Sequence, residues 1–222
     1  MIWDITKESH HWLPPVPPSM MKPDDLAEFM ADLHKEITMA RLPYPDRDIL
    51  PADVAGLLGQ FPRQAITEMF AHAASLTEPF LLMAQAQFTS IELTARQREL
   101  IILTVAGLID CEYEYVQHVP VSEAVGIDAT VRERLRNGDL DAVVDRAEHA
   151  LVTFVTAVVQ APRVSDDIFD GARAHLSARQ IVETLQLVTF YWGIGRICTV
   201  LDLEIDRPEG LEAVTGVSRL SR

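Results

Sequence analysis

Three residues in the middle of the chain have the types and spacing of a proton-handling site. Cys111, Glu114 and His118 stand at i, i+3 and i+7. With about 3.6 residues per turn they share one helix face over two turns. Glu114 and His118 form an i, i+4 pair, close enough to hydrogen-bond, and an imidazole held by a carboxylate can give and take protons near neutral pH. Glu99 lies twelve residues before Cys111, on what reads as the preceding helix. A tight antiparallel hairpin brings its side chain to the same face. Cys111 adds a possible nucleophile. A helix N-terminus lowers a thiol pKa, whereas the carboxylates of Asp110, Glu112 and Glu114 raise it. Three carboxylates against one partial dipole predict a poorly reactive thiol.

Each of these residues also has a purely structural use. A cysteine is often a small buried apolar residue. Glu114 and His118 can be a helix-stabilising pair, and Glu99 can ion-pair with Arg96, Arg98 or Arg196. Tyr113, Tyr191, Trp192 and Arg196 are candidates to line a pocket beside the cluster and bind substrate. His10, His11, His34, His72, His149 and His175 show no metal-ligand spacing, so no metal is expected. There is no glycine-rich phosphate loop, no G-x-S-x-G and no H-E-x-x-H, and no cofactor is expected.

The elements that must position these residues read as helices. Leu26, Phe29, Met30, Leu33 and Ile37 fall on one helical stripe over 24–40. Ile66, Met69, Phe70 and Ala73 do so over 63–75, and Val144, Ala147, Leu151, Phe154, Val155 and Val158 over 144–160. A further apolar helix is expected over 79–90, with Pro79 in its favoured first turn. Thr94-Ala95-Arg96-Gln97 and Ser177-Ala178-Arg179-Gln180 both fit the capping box that starts a helix. The first opens a helix expected to run from Ala95 to about Leu108. Asp110 is the expected N-cap of the next, which carries Cys111 to about His118. No segment shows a sustained period of two, so no sheet is expected. The prediction is an all-α fold of about eight to ten helices. Four prolines, Pro14, Pro15, Pro17 and Pro18, set residues 1–22 apart as a proline-rich N-terminal tail, leaving 23–222 as a single helical domain.

The central motif resembles that of the carboxymuconolactone decarboxylase / AhpD-like (alkylhydroperoxidase-like) family. Members carry a glutamate, eleven residues, then Cys-x-x-Cys-x-x-x-His. This chain has Glu99, eleven residues, Cys111, two residues, Glu114, three residues, His118, so the spacing matches and Glu114 stands for the second cysteine. Segments 96–119 and 163–196 also look like the family, and the resemblance spans roughly 41–207. It implies an AhpD-like helical fold, homo-oligomers (dimer, trimer or hexamer) and one of two chemistries. One is a cofactor-independent lyase or isomerase acting by acid–base catalysis on a small carboxylate or lactone-like substrate, by decarboxylation, isomerisation or cyclisation. His118 would be its acid or base, Glu114 would orient it, and Glu99 would relay protons or hold the substrate. The other is a thiol-dependent, peroxiredoxin-like peroxidase using Cys111, alone or with Cys198 or an external thiol. A non-catalytic oligomeric member is a third possibility.

Composition narrows the setting. The 222 residues carry a net charge of −14. Such a surface repels polyanions, so neither nucleic acid nor an anionic membrane is an expected partner. The first twenty residues include Asp4, Lys7 and Glu8 and no apolar run, so no secretory signal is expected. No uncharged apolar run approaches the about 18 residues of a membrane span. Two distant cysteines make no disulfide framework, and a cytoplasmic protein is expected. All three lysines lie before residue 36 and the other sixteen basic residues are arginines, a bias that points to a GC-rich bacterial genome.

Overall fold

The computed structural model describes residue 22, residues 40–61 and residues 63–206. The expected tail over 1–22, apart from Lys22, and nearly all of the expected helix over 24–40 lie outside the described residues. Among the described residues the fold is all-helical, with no strand. The helices are α1 (Ala52–Leu58), α2 (Ala65–Phe70), α3 (Ala74–Thr89), α4 (Ala95–Leu108), α5 (Glu112–Ala124), α6 (Ala129–Arg136), α7 (Arg146–Gln160), α8 (Asp166–Arg173) and α9 (Ala178–Leu201). No helix of these is long and apolar enough to cross a membrane.

Helix α4 is the axis of the fold. Every side chain from Arg98 to Ala106 is buried. A helix that is apolar nearly all round has no solvent face and must be wrapped. Helices α5, α7 and α9 wrap it. One core cluster joins Ile101, Ile102 and Val105 to Leu151, Phe154 and Val155 of α7 and to Leu187, Val188 and Tyr191 of α9. A second joins Leu100, Leu103 and Ala106 to Tyr115, Ile127, Leu135 and Val152. Each fully buried leucine or isoleucine contributes about 1.5–3 kcal/mol.

Both capping boxes form. Thr94 caps α4 with Gln97 reaching back, and Ser177 caps α9 with Gln180 doing the same. The expected helix over 63–75 ends as α2 at Phe70, with a separate 3-10 turn over Ala71–Ala73, and three further boundaries depart from the sequence expectation. Helix α3 starts at Ala74 rather than Pro79. Pro79 and Ser75, whose carbonyl loses its i+4 donor there, are both exposed, so water can serve that carbonyl. Helix α5 runs through Pro120 to Ala124 rather than ending near His118. Asp110 is not an N-cap. It takes the left-handed conformation at φ 52°, and Cys111 becomes the capping position.

That correction explains the hairpin. Cys111 N–H donates to Ala106 O at 2.9 Å and Asp110 N–H to Gly107 O at 3.2 Å, the pair of bonds that closes a Schellman motif. Aspartate is one of the few side chains that tolerate this backbone region. The motif ends α4 and turns the chain sharply back as α5. Gly107 is needed beside it, because a Cβ there would lie 2.8 Å from the Arg136 Cα on α6.

Candidate active site

The α4–α5 hairpin brings Glu99, Glu114 and His118 together in the interior. Glu99 comes from the first buried turn of α4, and Glu114 and His118 from one face of α5. His118 Nδ1 donates to Glu99 Oε2 at 2.7 Å. Its other nitrogen, Nε2, lies 3.7 Å from Glu114 Oε2, beyond hydrogen-bond range. The near neighbour in sequence is thus the looser partner. Glu99, nineteen residues away, orients the ring.

The same burial drives the electrostatics. Glu114 is pushed up to about 7, first by loss of solvent and then by Glu99, with His118 opposing. For His118, burial pulls the pKa down, but the charge and hydrogen bond of Glu99, with Glu114 adding, carry it above the ordinary value. Two titratable groups, one at about 7 and the other raised, therefore share one water-poor cluster, as proton transfer requires. Arg98, also on α4, donates from Nε to Glu99 Oε1 at 2.9 Å.

Aromatic rings close the cluster. The Tyr191 ring meets His118 edge-on at 5.2 Å between centroids, and Phe88 stacks on it at 6.4 Å. Phe88, in the last turn of α3, escaped sequence reasoning, since nothing in its neighbourhood marks it as different from a core residue. Of the expected substrate-binding residues, only Tyr191 adjoins His118. Trp192 is 46% exposed and Arg196, one turn on, is exposed too. The two share the outer face of α9, away from the buried cluster. Tyr113 is buried but turned elsewhere, donating to Asp206 and accepting from Ile66 N–H at 3.3 Å.

Cys111 is buried at the start of α5. Helix α9 reaches it through Gly195, where a Cβ would meet Ile109 Cδ1 at 2.3 Å and Cys111 Sγ at 3.5 Å. Cys198, one turn further, packs in the same core cluster, and its thiol interacts with that of Cys111. The Cys198 thiol lowers the Cys111 pKa, helped by the Glu114 and Tyr113 N–H groups at the helix start and opposed by burial and the Glu114 charge. The Cys111 thiol in turn raises that of Cys198. The expectation that crowding carboxylates would dominate is thereby reversed, because Cys198 was not visible as a neighbour. Cys111 also lines a cavity of about 270 Å³ with Asp110, Glu112, Tyr115 and Arg136.

No protein-family model matches the sequence, and no curated protein matches it. Solved structures do. An AhpD-core, peroxidase-related protein from Ralstonia eutropha superposes with a TM-score of 0.66 at 19% identity, over 80% of this chain and 97% of that one. A peroxidase-related protein from Silicibacter gives 0.64 at 19%, over 75% and 92%. The debrominase Bmp8, in a cysteine-to-alanine variant bound to 2,3,4-tribromopyrrole, gives 0.57 at 13%, over 82% and 95%. The chain has the AhpD-like fold.

Proposed function

We propose that this protein is a cofactor-independent acid–base enzyme acting on a small organic molecule, with His118 as the proton-transferring group. The observation that carries the reading is the bond from His118 Nδ1 to Glu99 at 2.7 Å, which fixes the ring and leaves Nε2 without a close partner. Glu114, titrating near 7, holds or returns the proton that Nε2 moves. Such an arrangement serves a developing enolate, as in decarboxylation, isomerisation or cyclisation. The family resemblance favours a carboxylate or lactone-like substrate, and Tyr191 and Phe88 offer apolar surface beside the imidazole.

The test is incubation of the purified protein in D₂O with a panel of lactone carboxylates and β-keto acids, following carbon dioxide release and deuterium incorporation next to the carbonyl. Wild type should catalyse one of these and His118→Asn should not. Equal rates in the two proteins on every reactive compound would overturn the assignment.

Self-association belongs to the same reading. Leu76, Leu82 and Met83 of α3 and Val182, Trp192 and Val200 of α9 are exposed, and burial between copies is the usual fate of such surface. Light scattering should give a mass well above the 24.8 kDa of one chain.

A second reading, a thiol-dependent peroxidase, is favoured by the Cys198 thiol beside Cys111, which lowers the Cys111 pKa. A hydroperoxide would oxidise the Cys111 thiolate to a sulfenic acid and leave as the alcohol. The Cys198 thiol would then displace water to form the disulfide, and an external thiol would reduce it. Mass spectrometry after peroxide treatment decides: a Cys111–Cys198 disulfide supports this reading, and two unmodified thiols end it.

A further inference from the structure

Arg98 has no part in the reading above, yet it touches the cluster at its centre. It is 6% exposed, and a cation removed from water is strongly destabilising unless a charge partner and hydrogen bonds replace the solvent. Glu99 is that partner. Arg98 Nε donates to Glu99 Oε1 at 2.9 Å, while His118 Nδ1 donates to Oε2 at 2.7 Å. The two oxygens of one carboxylate are held by a permanent cation and by the imidazole. Phe88 covers the guanidinium face, with Cζ 4.1 Å from the ring centroid, and the same ring stacks on His118.

We propose that Arg98 is the positioning residue of this cluster: its guanidinium fixes Glu99 as a charged acceptor, and so sets both the orientation of His118 and the number of protons that His118 and Glu114 share. This rests on the proton-transfer reading of the site. An arginine does not deprotonate in a protein. The Arg98 cation therefore stays beside the Glu99 carboxylate whatever the pH, and His118 and Glu114 are left as the groups whose proton exchange it influences. The charged and titratable groups facing His118 are Arg98 and Glu99 from α4, Glu114 from α5 and Tyr191 from α9. Of these, Arg98 alone opposes the imidazolium. Without its positive charge the cluster would hold the His118 proton to higher pH, and the ring would lose its capacity to act as a base. A lysine could replace the charge but not the planar guanidinium that lies under Phe88.

The experiment is an NMR titration of His118 in the full chain, in wild type, Arg98→Met and Arg98→Lys. Arg98→Met should raise the His118 midpoint by about one pH unit, and Arg98→Lys should recover most of that change. The pH–rate profile should move by the same interval, with kcat altered more than KM. In wild type, the Arg98 Nε–H resonance should titrate together with His118, a readout that does not depend on Arg98→Met folding. An Nε–H signal indifferent to His118, or an unmoved or lowered midpoint in folded Arg98→Met, overturns the proposal. If the midpoint rises while His118→Asn keeps full turnover, the positioning role stands and the acid–base function falls.

Discussion

His118 Nδ1 and Glu99 Oε2 are 2.7 Å apart, so an acceptor on the preceding helix, not the i−4 neighbour, selects the imidazole tautomer. A ring whose Nδ1–H is committed presents Nε2 for proton transfer. Glu99→Gln should therefore act on His118 itself. Loss of the charge leaves burial as the dominant influence, and the His118 midpoint should fall below its ordinary value. Turnover should fall by about 10²–10⁴-fold in His118→Asn, the usual contribution of a positioned acid or base. An unchanged His118 titration in Glu99→Gln would show that the bond does not exist in solution.

Glu114 has a different signature. Its charge is one of the influences that raise His118, so Glu114→Gln should lower the His118 midpoint, by less than Glu99→Gln does. Glu114 itself titrates at about 7. If it must accept a proton, the rate should rise with pH through that value in wild type and lose that limb in Glu114→Gln. A pH–rate profile identical in the two proteins removes Glu114 from the chemistry.

The hairpin was legible in the sequence because its signals are local. The Thr94–Gln97 capping box set the start of α4, Gly107 marked its end, and the i, i+3, i+7 spacing placed Cys111, Glu114 and His118 on one face. The closeness of Glu99 to His118 followed from those. What failed depends on tertiary contacts or on competing local rules. An aspartate before a helix reads as an N-cap, but Asp110 closes a Schellman motif instead. Helix α9 is apolar on almost every side, so periodicity could not tell that Tyr191 faces inward while Trp192 and Arg196 face out. The Cys111–Cys198 contact depends on Gly195 letting α9 approach α5, which no spacing along the chain reveals.

The buried cluster should make stability pH-dependent. Glu114 rises from an ordinary 4.5 to about 7 on folding, and His118 is raised as well. Both bind their protons more tightly in the folded state than in the unfolded one. Their contribution is fully present below the unfolded values and is lost as pH rises through the folded ones. For Glu114 the window runs from 4.5 to about 7, and the change is up to about 3 kcal/mol. Urea melts across this range should show wild type losing stability relative to Glu114→Gln as pH increases. Parallel curves for the two proteins would mean that Glu114 is not raised.

Two glycine-to-alanine changes separate close packing from simple helix propensity. At Gly107 an added Cβ would lie 2.8 Å from Arg136 Cα and 3.0 Å from Arg136 O. These are backbone atoms, so α6 itself must move, and overpacking of this kind costs about 1–3 kcal/mol. The shift would also reach the site, because Arg136 lines the cavity beside Cys111. At Gly171, inside α8, a Cβ meets nothing within 4 Å, and the residue is exposed. Alanine there should instead stabilise by about 0.5–1 kcal/mol, the ordinary difference between the two residues in a helix. Gly107→Ala should thus lower the urea midpoint and Gly171→Ala should raise it. The first should also alter Cys111 reactivity toward a thiol reagent, whereas the second should leave it untouched. Equal and favourable effects at both positions would mean that α4 and α6 are not in the close contact that ends the hairpin and sets Cys111 at the start of α5.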